Sequence, residues 1–97
     1  VGNSEQNAKL GTFYPKHSFS LSLLGFALLN IKEYDEAIEE FNLAISNTPN
    51  YYLSYKGLGK VYIELGQKEK AKEYLQKAWN LNQFDKEVKE LLDRLNQ

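Results

Sequence analysis

Leu21-Ser22-Leu23-Leu24-Gly25-Phe26-Ala27-Leu28 is echoed thirty-four residues later by Tyr55-Lys56-Gly57-Leu58-Gly59-Lys60-Val61-Tyr62, and this echo decides the fold. At the same offset Ser20 matches Ser54, Ala37 matches Ala71, Glu39 matches Glu73, Ala44 matches Ala78 and Pro15 matches Pro49. A period of this length marks a stacked repeat, each unit burying against its neighbours an apolar face it cannot bury alone. Such an object is a scaffold that offers a concave surface. The repeat does not say what sits there.

Within each unit the apolar spacing is helical. Leu21, Leu24, Leu28 and Ile31 recur at steps of three and four, which predicts one apolar face on a first helix. Ala37, Ile38, Phe41, Ala44 and Ile45 form the stripe of a second, with Asp35 and Glu36 in the first turn at the positive end of the helix dipole. Thr48-Pro49-Asn50 ends it, because proline disfavours helix in the residue before it. A third helix carries Tyr55, Leu58, Tyr62 and Leu65 and stops at Gly66, which suits a left-handed cap. A fourth carries Ala71, Leu75 and Ala78, flanked by Tyr74 and Trp79. In the fifth, Asp85 is placed to cap the N-terminus and Val88, Leu91, Leu92 and Leu95 make one stripe. The connections are short, so consecutive helices are expected to pack antiparallel. The predicted class is all-α, with helix-turn-helix units stacked in a superhelix.

Bulk properties exclude several functions. With 97 residues the chain makes one domain. A net charge of −1 with a single arginine, Arg94, lacks the basic face that nucleic acid requires. No apolar run approaches the ~20 residues of a membrane span. No cysteine is present, which removes disulfides and thiolates and fits a reducing, cytoplasmic compartment. Methionine is absent too, so either an initiator was removed ahead of Val1 or the chain is a piece of a longer protein; since solenoids rarely stop at two repeats, the second is expected. His17 is the only histidine; one ligand makes no metal site, and it is expected to end an inter-repeat turn. Gly57-Leu58-Gly59-Lys60 superficially resembles a phosphate-binding loop, but Val61 stands where Ser or Thr would hold magnesium, and the segment falls mid-helix. No nucleophile, base and orienting group can be assembled. The chain is therefore expected to be no enzyme, with no cofactor, no metal, no nucleic-acid partner and no membrane partner.

Two units carry a family pattern. The first reads Leu21-x2-Leu24-Gly25-x2-Leu28, then Ala37-x3-Phe41, Ala44 and Pro49; the second reads Tyr55-x2-Leu58-Gly59-x2-Tyr62, then Ala71-x3-Leu75 and Ala78. This resembles the tetratricopeptide repeat. The resemblance implies a unit over 18–51, a second over 52–85, and a solvating cap over 86–97. Residues 1–17 would form an N-terminal segment, with a short helix over Glu5 to Leu10 or disorder as alternatives. Both units lack the family's tryptophan at Leu21 and Tyr55, and Gln83 replaces the expected proline.

In that family the first helix of each unit lines the groove. Carried over, the resemblance implies a peptide-binding surface of Phe19, Ser22, Phe26, Leu29 and Asn30 from the first unit and Leu53, Lys56, Lys60, Ile63 and Glu64 from the second. Such a groove would take a protein or peptide partner with apolar side chains, and acidic ones near Lys56 and Lys60; solvated lysines and packed aromatics are the plainer alternative. Family members that grip chaperone tails use lysines, asparagines and an arginine, but the matching places hold Ser22, Phe26, Gly57, Glu87 and Leu91, so no chaperone-tail receptor is expected. The first helix is apolar nearly all round, which calls for something to cover it. A homo-oligomer through Phe19, Leu23 and Phe26 is the structural alternative to the binding module. The acids Asp35, Glu36, Glu39 and Glu40 are expected to pair across units with Lys68, Lys70, Lys72 and Lys77, setting register.

Overall fold

The structure, a computed structural model, describes residues 15–97. Five helices follow in order: α1 (Pro15–Asn30), α2 (Tyr34–Asn47), α3 (Tyr52–Glu64), α4 (Lys68–Leu81) and α5 (Lys86–Leu95), with no strand among the described residues. α2 and α4 start and end thirty-four residues apart, α1 and α3 end at the same offset, and so do the starts of α3 and α5. The sequence period is thus a period of the backbone. Helices adjacent in the chain pack on one another, and α1 also touches α3. The expected helix over Glu5 to Leu10 lies outside the described residues.

The termini follow local chemistry. Pro15 opens α1, where its missing N–H is no loss, so α1 starts three residues ahead of the expected unit boundary. His17 lies inside this helix, not in a turn. Asp35 and Glu36 occupy the first turn of α2, and Thr48 closes it through a bond to the Ala44 carbonyl. Asp85 caps α5, its Oδ1 accepting from the Val88 N–H at 3.2 Å. Gly66, after α3, has φ +75°, as expected of a left-handed cap. Its counterpart one period back is Lys32, which adopts φ +67° without glycine's freedom.

Ala37, Phe41 and Ala44 on α2 and Ala71, Leu75 and Ala78 on α4 are fully buried. Phe41 is the wedge that joins the two hairpins. A methyl built on Gly25 of α1 would stand 2.7 Å from its ring, and one built on Gly57 of α3 would run into it. The ring therefore fills a slot cut by two glycines on different units. Gly59 makes the same room for Leu75, the period partner of Phe41. The glycines thus admit a large residue from the neighbouring helix.

α1 presents an unexpected face inward. Ser18, Ser22 and Gly25 are buried, whereas Leu24 and Ile31 of the expected apolar stripe are exposed. Ser18 Oγ donates to the Ala44 carbonyl at 3.2 Å and is hydrogen-bonded to Thr48 Oγ1 at 2.7 Å; the Ser22 and Ser54 hydroxyls share a bond of 3.2 Å. Small residues let α1 lie close over Phe41, and their hydroxyls are satisfied there, so the burial costs little. The leucine flank corresponds to the face of α3 that packs on α2 and the face of α5 that packs on α4. Leu58 of α3 is 1% exposed, but its counterpart Leu24 is 47% exposed.

Candidate functional site

The ten expected groove residues do not share one fate. Four of them, Leu29, Asn30, Lys60 and Glu64, line a cleft of about 250 Å³ where α1 and α3 end side by side. Lys32, which the sequence reading missed, completes it from the turn after α1. Phe26 and Ile63 lie beside the core, half-buried against it. Phe26 meets Phe41 edge-on, with centroids 5.0 Å apart and planes at 76°, and carries the Lys60 ammonium 5.9 Å from its ring. Leu53 is half-buried and Phe19 is exposed at the opposite end of the groove. Ser22 is closed off, buried and bonded to Ser54.

Lys56 and Lys60 are tied to α5. Lys56 Nζ stands 2.8 Å from Asp85 Oδ2 and 2.9 Å from Glu87 Oε1, and Lys60 Nζ reaches Glu87 Oε2 at 2.9 Å. The Tyr52 hydroxyl donates to the same Asp85 Oδ2 at 2.9 Å. Asp85 thereby caps α5 with one oxygen and binds α3 with the other. Burial alone would push the Lys56 pKa down, but its bonds to Asp85 and Glu87 outweigh this and hold it above the usual lysine value. Burial would likewise raise Asp85, yet Lys56, the Val88 N–H and Tyr52 keep it below the ordinary carboxylate value. Glu87 is lowered through its bonds to Lys60 and then Lys56. The basic end expected of the groove is therefore largely neutralised from within, and its lysines are neither free nor simply solvated.

The cross-unit ion pairs expected between α2 and α4 do not form among the described residues. The ion pairs there join α3 to α5 or lie within α4 and α5, where Lys72 meets Glu69 and Lys89 meets Asp93. The reason is topological. α2 packs on α3 and has no comparable packing on α4, where the lysines lie. Lys70 and Lys77 turn instead onto tyrosine rings. No described helix is long and apolar enough to cross a membrane.

Compared with curated proteins, the chain matches none. Over residues 27–97 it matches the family model described as regulator of microtubule dynamics protein 1-3. That span starts within α1 and takes in α2, α3, α4 and α5, including Lys32, Lys56, Lys60, Asp85 and Glu87. On a match covering well over half of its length, the chain belongs to the family of regulator of microtubule dynamics proteins 1-3.

Proposed function

We propose that this domain is a non-catalytic protein-interaction scaffold of tetratricopeptide type, which takes a peptide segment of a partner in the groove formed by α1 and α3. The observation that carries this reading is the cleft at the ends of those helices, where an apolar wall (Leu29) meets polar groups from two units (Asn30, Lys60, Glu64). An inserted side chain gains from such an apolar wall in proportion to the area it covers. The ligand is accordingly a segment with an apolar anchor and polar neighbours. An acidic anchor at Lys56 fits less well, because Asp85 and Glu87 already serve that lysine. The family's description supplies the setting in which such a scaffold would work, the regulation of microtubule dynamics.

A peptide-display selection on the folded chain tests the reading. Selected peptides are expected to lose binding to Leu29→Ala and Glu64→Lys, with thermal melts confirming that both variants are folded. Failure to enrich any peptide, or binding indifferent to both substitutions, would contradict it.

A second reading, self-association, is favoured by one observation: the apolar flank of α1 and the turn after it, where Leu23, Leu24 and Ile31 are 52%, 47% and 66% exposed. Between Ser18 and Asn30 α1 carries no charged residue, so two such flanks could meet through apolar surface. Sedimentation separates the readings. A size that falls with dilution and with Leu24→Glu supports self-association, and a monomer at all concentrations removes it.

A further inference from the structure

The second hairpin carries an arrangement unconnected with the groove. Tyr55 and Tyr62 lie two turns apart on α3, and Tyr74 of α4 stacks on both. Its ring centroid is 5.6 Å from that of Tyr62 with planes 8° apart, and 6.4 Å from that of Tyr55 with planes 22° apart. Two lysines, also two turns apart, close the ladder from α4. Lys70 Nζ sits 4.9 Å over the Tyr62 ring, and Lys77 Nζ stands 5.7 Å from the rings of both Tyr55 and Tyr74.

Tyr62 belongs to the core and Tyr74 packs against it, whereas Lys70 and Lys77 are exposed. One period upstream the same five positions hold Leu21, Leu28, Glu40, Glu36 and Leu43, and that hairpin folds alike. Resting a lysine on an aromatic face fixes its ammonium without neutralising it, which an ion pair would do. Neither Lys70 nor Lys77 pairs with a described carboxylate, and the one ion pair within α4 is the long Lys72–Glu69 contact of 3.5 Å. α4 holds Lys68, Lys70, Lys72 and Lys77 against Glu69 and Glu73, so its surface is net positive in a chain of net charge −1. Burial, with Tyr62 beside it, holds the Tyr74 hydroxyl above its usual pKa, so it stays protonated and able to donate.

We infer that the Lys70–Tyr62–Tyr74–Lys77 ladder is a docking surface for an acidic peptide segment of a protein partner. Seven helical residues separate the two lysines by about 10.5 Å along the axis. Carboxylates spaced alike, two turns apart on a helix or about three residues apart on a polyproline-II chain, reach both ammonium groups. A nucleic acid fits less well, because Glu69 and Glu73 interrupt the basic surface a phosphate backbone would follow.

The test is fluorescence anisotropy of a labelled glutamate-rich octapeptide titrated with the intact chain at low salt. Binding is expected, weakening as salt rises, and the double variant Lys70→Ala/Lys77→Ala should weaken it about tenfold or more through loss of two charge-assisted contacts. Tyr74→Leu keeps every charge yet should weaken it several-fold, whereas Lys89→Ala, whose ammonium Asp93 already holds, should leave it unchanged. Thermal melts confirm that each variant is folded. No binding by the parent chain, equal losses at Lys89 and at the ladder, indifference to Tyr74→Leu, or tighter binding of a single-stranded oligonucleotide would each overturn the inference. Loss on Lys60→Ala in place of the ladder variants would overturn it too, moving the contact to the groove.

Discussion

The α1–α2 and α3–α4 hairpins share a backbone and differ in nearly everything they show to the outside. Both bury the same small–large–small triplet, Ala37, Phe41 and Ala44 in one and Ala71, Leu75 and Ala78 in the other. Outside that core they part. The upstream face of α3 is sealed by α2, and its flanks carry tyrosines, lysines and ion pairs to α5. The same face of α1 leaves Leu23 and Leu24 about half exposed, and no described ion pair involves α1 or α2. The core positions fix a repeat's shape, and its surface is then free to take on a different task in each copy.

Leu58 and Leu24 break this comparison most sharply, since they are the same residue at the same repeat position. Leu58→Ala should cost about 3 kcal/mol, as for a leucine sealed in a core. Leu24→Ala should cost under about 1 kcal/mol, because water already reaches it. Urea titrations of the two variants measure the difference. Equal losses would mean that something covers the flank of α1 in solution.

The polar half of the comparison rests on Asp85. Asp85→Ala removes the α5 cap and a partner of the shielded Lys56, and should cost about 2 kcal/mol. The pH dependence has a definite sign. Asp85 and Glu87 have folded pKa values below their ordinary 3.8 and 4.5, so the unfolded chain binds more protons as pH falls through this range. Their stabilisation is complete above about pH 4.5 and is lost as pH drops through the lowered folded values. Melting curves across that range should show a loss that Asp85→Ala blunts.

The smallest expected effect is at the two turns. Lys32 and Gly66 occupy one repeat position with φ +67° and +75°, so Lys32→Gly should stabilise by up to about 1 kcal/mol and Gly66→Lys should lose a similar amount. Thermal melts read both. A destabilising Lys32→Gly would show that the lysine makes a contact worth more than its strained backbone, which would tie it to the cleft it lines.

The fold was legible because the period is a property of the chain, and Ala37, Phe41 and Gly66 do locally what their neighbours dictate. The orientation of α1 was not. Periodicity marks which residues share a face, but it cannot tell which neighbouring helix is there to cover Leu24. Gly57 looked like part of a false phosphate loop; its use is visible only once Phe41, sixteen residues before it, is seen in the slot. Of the site, Leu29, Asn30, Lys60 and Glu64 could be found through a family resemblance, whereas Asp85 and Glu87 could not be matched to Lys56 and Lys60. Those partners lie 27 to 31 residues away, off the repeat period, and meet only because α5 returns alongside α3. The tyrosine–lysine ladder did leave a trace, since Tyr55 and Tyr62, like Lys70 and Lys77, stand seven residues apart on antiparallel helices.

That the two hairpins lock through one wedge is tested most directly by a double-mutant cycle on Gly57 and Phe41. Gly57→Ala alone should lose about 3 kcal/mol, because the new methyl meets the ring with no room to yield. In a Phe41→Leu background the same change should lose about 1 kcal/mol or less, a coupling of about 2 kcal/mol between residues of different units. Losses that simply add would contradict the stacking of one unit on the next through Phe41.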